Sequence, residues 1–352
     1  MSPQVEVPFP EGSNGVMGKP AHPMQSRHLT AGVYVPTPAF FNEDALESLD
    51  LTTLARHAVR LANAGVTGLA VQGSNGEAVH LTDSERAAVI KTTRKALDEA
   101  GYTSMPLIVG TGAQSTMQTI GLCRQAAECG GDAVLVLPPA YYQGLFDSDT
   151  VVSFFKDVAD ASPLPVLLYN FPGAVGGLDL NSDLLIKLGQ EHPNIIGAKF
   201  TCGNTGKLGR VASAFGDTKK TAGRRATNGT HQSSPPANFL CFAGSGDFMI
   251  PALSIGAAGV IGGIANVAPK AVVKLYEAFK DGQLEEAERL QQVIAQGDWN
   301  AIQSGIIGVK VCLQDYEGYG GWARKPLPRP EGESRKKIVE GFKELMEMEK
   351  AI

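Results

Sequence analysis

From Ala31 onward, short runs of aliphatic and β-branched residues alternate with longer stretches whose apolar positions recur every three to four residues. The alternation repeats eight times in about 250 residues. Short continuous apolar runs suit buried strands, and the 3.6-residue rhythm suits amphipathic helices. The strand-like runs fall at 32–35, 68–71, 107–109, 133–137, 166–169, 194–201, 239–242 and 259–261. The helical stretches fall at 49–64, 82–99, 115–129, 148–161, 182–190, 208–215, 248–255 and 271–279. Thr82 and Glu85 form a Thr-x-x-Glu capping box at the second helix. Strands separated by helices pair in parallel, and eight such units in a row predict a closed (β/α)8 barrel, the TIM-barrel fold. An open doubly wound sheet is the structural alternative, but it rarely needs eight consecutive units.

The rhythm divides the chain. Residues 1–29 are rich in Pro, Gly, Ser and Met without periodicity and predict a flexible tail. Residues 30–281 are the barrel, and residues 282–352 form a C-terminal helical appendage. One segment breaks the pattern: 216–238 carries Lys219-Lys220, Arg224-Arg225 and a Pro-Pro pair with almost nothing to bury. It predicts an inserted loop, disordered rather than a lid.

With 43% hydrophobic residues the chain can build a large core, and its net charge of −5 offers no basic patch for nucleic acid or an anionic membrane. The partner expected is a small molecule. Five scattered cysteines, odd in number and without metal-ligand spacing, predict reduced core thiols. No apolar run is long enough for a membrane span, and the N-terminus lacks the basic-then-apolar pattern of a secretory signal. These features predict a cytoplasmic protein with no metal and no cofactor.

Barrel active sites lie at the C-terminal strand ends. The sixth strand, Asn194-Ile195-Ile196-Gly197-Ala198-Lys199-Phe200-Thr201, ends on a lysine that packing alone does not explain. A lysine capping a strand and pointing into water is the bland alternative. Desolvation there would favour the neutral amine, the form that attacks a ketone to give a Schiff base. Other strand ends carry Gly73-Ser74-Asn75-Gly76-Glu77, Pro138-Pro139-Ala140-Tyr141-Tyr142, Tyr169-Asn170-Phe171-Pro172 and Gly244-Ser245-Gly246-Asp247. Amides and short side chains around Ser74 and Asn75 suit a carboxylate. Glu77 reads as a structural partner for polar groups rather than a base.

Four of these, Gly-Ser-Asn-Gly-Glu, Pro-Pro-Ala-Tyr-Tyr, Tyr-Asn-Phe-Pro and Ile-x-Gly-x-Lys-x-Thr, are similar in order and placement to those of the dihydrodipicolinate synthase/N-acetylneuraminate lyase family of pyruvate-dependent class I aldolases. The resemblance spans residues 31–314. It implies Lys199 as the Schiff-base lysine and Tyr169 as the tyrosine that moves protons. It implies Ser74 and Asn75 as the pair holding pyruvate's carboxylate, and Gly244 and Ile261 as pocket positions. Tyr141 falls on a tyrosine that members extend into a neighbouring subunit's site, with Tyr142 as the alternative register, and a homodimer or homotetramer is implied. One departure bears on substrate. Where synthases of the family have Ser-Arg after the Tyr-Asn-x-Pro motif, this chain has Gly173-Ala174, with no Lys or Arg between Phe171 and Asn181. Alanine cannot clamp a second carboxylate. The expectation is an aldolase that cleaves a 2-keto-3-deoxy sugar acid to pyruvate and a neutral aldehyde such as glyceraldehyde. A 4-hydroxy-2-oxoglutarate aldolase, a dihydrodipicolinate synthase-like condensing enzyme or dehydratase, and a catalytically silent binding paralogue are the alternatives.

Overall fold

The computed structural model describes residues 27–216 and 239–352; most of the expected tail and of the inserted loop lies outside these residues. Eight parallel strands close into a barrel in sequence order. They are β1 (Gly32–Pro36), β2 (Gly68–Val71), β3 (Leu107–Gly110), β4 (Ala133–Val136), β5 (Val166–Asn170), β6 (Ile195–Phe200), β7 (Leu240–Ala243) and β8 (Gly259–Ile261). Closure comes from β1 pairing with β8, Gly32 opposite Gly259. Nearly every strand residue is buried because one face meets the barrel interior and the other the helices.

The surrounding helices are α1 (Leu51–Asn63), α2 (Asp83–Glu99), α3 (Thr116–Glu128), α4 (Ser148–Ala161), α5 (Ser182–Glu191), α6 (Thr205–Phe215), α7 (Met249–Ser254) and α8 (Pro269–Lys280). Polar side chains start six of them: Asp50, Thr82, Ser115, Asp147, Asn181 and Asn204 each accept a backbone N–H of the first turn. The Thr82/Glu85 capping box is complete. Inside the barrel, Tyr34, Ile108, Leu135, Leu167, Phe242 and Ile261 pack as one apolar cluster.

The pairing of β5 with β6 shifts between Val166 and Leu167, which lie opposite Ile195 and Gly197. Ile196 packs on the interior cluster, whereas Ala198 belongs to the outer core. Strict alternation from Ile196 would have turned Lys199 outward. The extra residue resets the phase, so Lys199 points into the barrel with Tyr169 as its cross-strand partner. Gly197 permits this step, since a Cβ there would stand 2.3 Å from the Leu240 carbonyl oxygen.

The C-terminal part is more than an appendage. Helix α9 (Leu284–Glu317) is broken at Gly305 (φ 59°, ψ −154°), and α10 (Gly332–Gly341) and α11 (Lys343–Ala351) follow it. From α9, the buried Lys310 Nζ reaches Glu77 Oε1 at 2.6 Å and the Trp322 carbonyl at 3.0 Å. Glu77 Oε2 accepts the Arg324 amide at 2.9 Å, and Arg324 also pairs with Glu85 at 2.7 Å. Burial pushes Lys310 down to about 8, with Glu77 opposing the shift. Glu77 sits in the left-handed region (φ 49°), three residues after Ser74, so this network fixes the β2–α2 turn. Removing one member of a buried pair typically costs about 3–5 kcal/mol because the other charge is stranded. Lys310→Met should therefore lower unfolding free energy by about that amount, and adding Glu77→Gln should restore part of the loss. Urea unfolding measures both, and strictly additive losses would mean the pair is not coupled.

Candidate active site

Lys199, 3% exposed, ends β6 at the floor of a cavity of about 380 Å³. Its Nζ lies 3.3 Å from the Tyr169 hydroxyl and 4.4 Å from the centre of that ring. The Tyr169 hydroxyl in turn is 3.4 Å from Ser74 Oγ. An amine, a phenol and an alcohol thus line up across three strand ends, which is a workable proton path. Phe171 stacks on Tyr169 with centroids 5.9 Å apart and holds the phenol's orientation. Asn75 lies on the opposite rim beside Gly263, where a Cβ would come within 2.8 Å of its Nδ2. Lys199, Tyr169, Ser74, Asn75 and Gly244 all line this one cavity.

Two other expected site residues lie elsewhere. Ile261 is fully buried in the barrel interior, in the same cluster as Tyr169, and does not line the cavity; it supports the phenol through packing. Tyr141 is 80% exposed on the loop after β4, stacked edge-on against Tyr142, and does not reach this chain's cavity. Ala174, in the Pro172–Ala174 turn, is also exposed and off the cavity.

Several lining residues were missed. Thr201, two positions past the lysine, has a buried Oγ1 without a hydrogen-bond partner. Gly244 leaves it room, since a Cβ would fall 2.2 Å from that oxygen. Asp247 lines the far wall with a buried, unpartnered Oδ1, and burial raises its pKa. From outside the barrel, α9 supplies Asp298, Ala301, Ile302, Gly305, Ile306 and Val309. Asp298 had one sequence signal: it falls on the apolar stripe with Leu290, Ile294 and Ala301, where a carboxylate is out of place. Cys202 also lines the cavity, unlike the other four cysteines, which are buried. All five are free thiols. Among the described residues no group of three or more His, Cys, Asp or Glu is placed to hold a metal ion.

Comparison with known proteins agrees with the fold. A model of the dihydrodipicolinate synthetase family matches residues 30–345. The "Probable 4-hydroxy-2-oxoglutarate aldolase, mitochondrial" of Emericella nidulans is 49% identical over 94% of this chain and 99% of its own. The "L-threo-3-deoxy-hexylosonate aldolase" of Hypocrea jecorina is 46% identical over 92% of this chain and 98% of its own. The crystal structure of a dihydrodipicolinate synthase family protein from Coccidioides immitis superposes with a TM-score of 0.78 at 34% identity, covering 93% of this chain and 99% of that one.

The mitochondrial name of the first relative overturns the cytoplasmic expectation. That expectation tested only for an apolar secretory signal, and a mitochondrial transit peptide is amphipathic and carries no such run. Matched along most of its length by the family model and by relatives well above 30% identity, the chain belongs to the dihydrodipicolinate synthetase family and is an aldolase, a carbon–carbon lyase.

Proposed function

We propose that this aldolase cleaves a 2-keto-3-deoxy sugar acid to pyruvate and a neutral hydroxyaldehyde of the glyceraldehyde type. The observation that carries the reading is the cavity's charge pattern. Lys199 is the one cation among its described lining residues, so a substrate tail with a second carboxylate finds nothing to pair with. The polar residues Thr201, Ser245, Asp247 and Asp298 in the cavity wall instead suit the hydroxyls of a polyol. The name of the 46% identical relative supports a 3-deoxy sugar acid. The 49% identical relative supports 4-hydroxy-2-oxoglutarate as the rival substrate.

In this mechanism the neutral Lys199 amine attacks the C2 ketone, while Ser74 and Asn75 hold the adjacent carboxylate. The Tyr169 hydroxyl, beside Nζ, protonates the departing hydroxide of the carbinolamine, leaving water, an iminium and a phenolate. That phenolate takes the proton of the C4 hydroxyl. The C3–C4 bond then breaks, its electron pair flows into the iminium to give an enamine, and the aldehyde leaves. Tyr169 returns the proton to C3, and hydrolysis frees pyruvate and the amine. The iminium is the electron sink that makes the bond cleavable.

Tyr141 enters the reading through assembly. With Tyr142 and Leu145 it forms an exposed apolar loop, which suits a contact with a second copy in a homodimer or homotetramer. Sedimentation should give a dimer or tetramer for the native chain and smaller species for Tyr141→Asp; a monomeric native chain would refute this part.

A charge-assisted contact to a distal carboxylate is worth roughly 1.5–3 kcal/mol, tenfold or more in rate. kcat/KM for a six-carbon 2-keto-3-deoxy sugar acid should therefore exceed that for 4-hydroxy-2-oxoglutarate by at least roughly tenfold, and condensation of pyruvate with aspartate semialdehyde should be negligible. A preference for either carboxylate-bearing partner would contradict the assignment.

A further inference from the structure

Asp298 reaches the cavity from α9, a helix outside the barrel, and is 3% exposed. All its hydrogen bonds fall on one oxygen. Oδ2 accepts the Ser245 hydroxyl at 2.6 Å, the Gly246 amide at 2.7 Å and the Asp247 amide at 3.0 Å. Those three donors satisfy Oδ2 and lock the turn after β7 against α9. Gly246 contributes by being small: a Cβ would stand 3.4 Å from Oδ2 and 2.7 Å from Ile264 Cγ2. Oδ1 has no hydrogen-bond partner among the described residues and, on a residue that lines the cavity, is the oxygen left for a ligand. Asp247, held by the same turn, lines the same cavity, with its Oδ1 buried and unpartnered among the described residues. Burial, reinforced by the Asp247 charge, raises Asp298 to about 6. Two carboxylates on one wall, neither paired with a cation among the described residues, are poorly explained as a structural cap, which needs only one oxygen of one of them.

We propose that Asp298 is a specificity-determining residue. Its free Oδ1 accepts hydrogen bonds from the hydroxyl tail of the substrate, and its charge together with that of Asp247 turns away a tail that ends in a carboxylate. The inference rests on the aldolase reading of the cavity and adds an active element to it. Specificity then comes from repulsion built into the C-terminal helix, beyond the missing arginine near Ala174. It also explains why α9 crosses the barrel mouth: the residue that reads the tail sits on it.

Asp298→Asn tests this because it is nearly isosteric. Its amide oxygen can keep the three donors, while its NH2 replaces the free oxygen and would welcome a carboxylate. At pH 8 the ratio of kcat/KM for the sugar acid over 4-hydroxy-2-oxoglutarate should fall at least about tenfold, with the dicarboxylate value rising. Asp298→Ala, which removes the cap as well, separates a purely structural role: that role would lower both values together and leave the ratio unchanged in both variants, overturning the proposal. Native enzyme provides a check that needs no variant. 2-Oxoglutarate should inhibit at least about tenfold more weakly than 2-oxopentanoate, and equal inhibition would overturn the proposal. If native enzyme prefers 4-hydroxy-2-oxoglutarate, both this inference and the substrate assignment fall. If it prefers the sugar acid but Asp298→Asn leaves the ratio unchanged, only the inference does.

Discussion

The one-residue step in register between β5 and β6 decides whether this barrel has a site at all. It occurs beside Gly197, where a Cβ would collide with the Leu240 carbonyl, and it converts an outward-facing position into an inward-facing one. Lys199 therefore meets the Tyr169 hydroxyl at 3.3 Å instead of facing the helices. A bulge is an effective way to re-aim a side chain because it reverses the alternation of every residue after it. The interior beneath, which includes Phe242 and Ile261, is apolar.

The second constraint is the closure of the mouth by the C-terminal helix. A barrel alone leaves its loops attached at their ends only, and loops are where conformational freedom concentrates. Here Lys310 and Arg324 grip Glu77 in the β2–α2 turn, and Asp298 grips the turn after β7. Both turns carry cavity residues, Ser74 and Asn75 on one and Ser245 and Asp247 on the other. The same helix thus fixes two turns of the cavity wall. Its break at Gly305, in backbone geometry that essentially only glycine adopts, lies in the cavity wall between them.

How much of this was legible in the sequence depended on the range of the interaction. The barrel could be read because each βα unit declares itself locally, through a buried apolar run and a capped amphipathic helix. Lys199 could be read because barrel strands end at one mouth, so position along a strand implies position in space; Tyr169 lies at a strand end too, but it was singled out mainly through the family resemblance. The register shift beside Gly197 was not read from Ile195-Ile196-Gly197-Ala198-Lys199, because its effect on phase needs the partner strand. Asp298 could not be assigned, because nothing local says that α9 folds back across the mouth; its only trace was a carboxylate on an apolar stripe. Ile261 was named from the family resemblance, and here it packs in the barrel interior with Tyr169 instead of lining the cavity. The reduced thiols were readable as a class, but Cys202 at the cavity was not distinguished from the buried four. The compartment was misjudged because only one kind of targeting signal was sought.

The central claim is that a single amine, Lys199, forms the covalent intermediate, with Tyr169 moving its protons. Borohydride reduction in the presence of pyruvate, followed by peptide mass mapping, tests it most directly. The account predicts one reduced pyruvyl adduct, on Lys199, with loss of activity in step with labelling. Tyr169→Phe should label more slowly at the same residue, and Lys199→Ala should neither label nor turn over. An adduct on any other lysine, or full activity in Lys199→Ala, would contradict it.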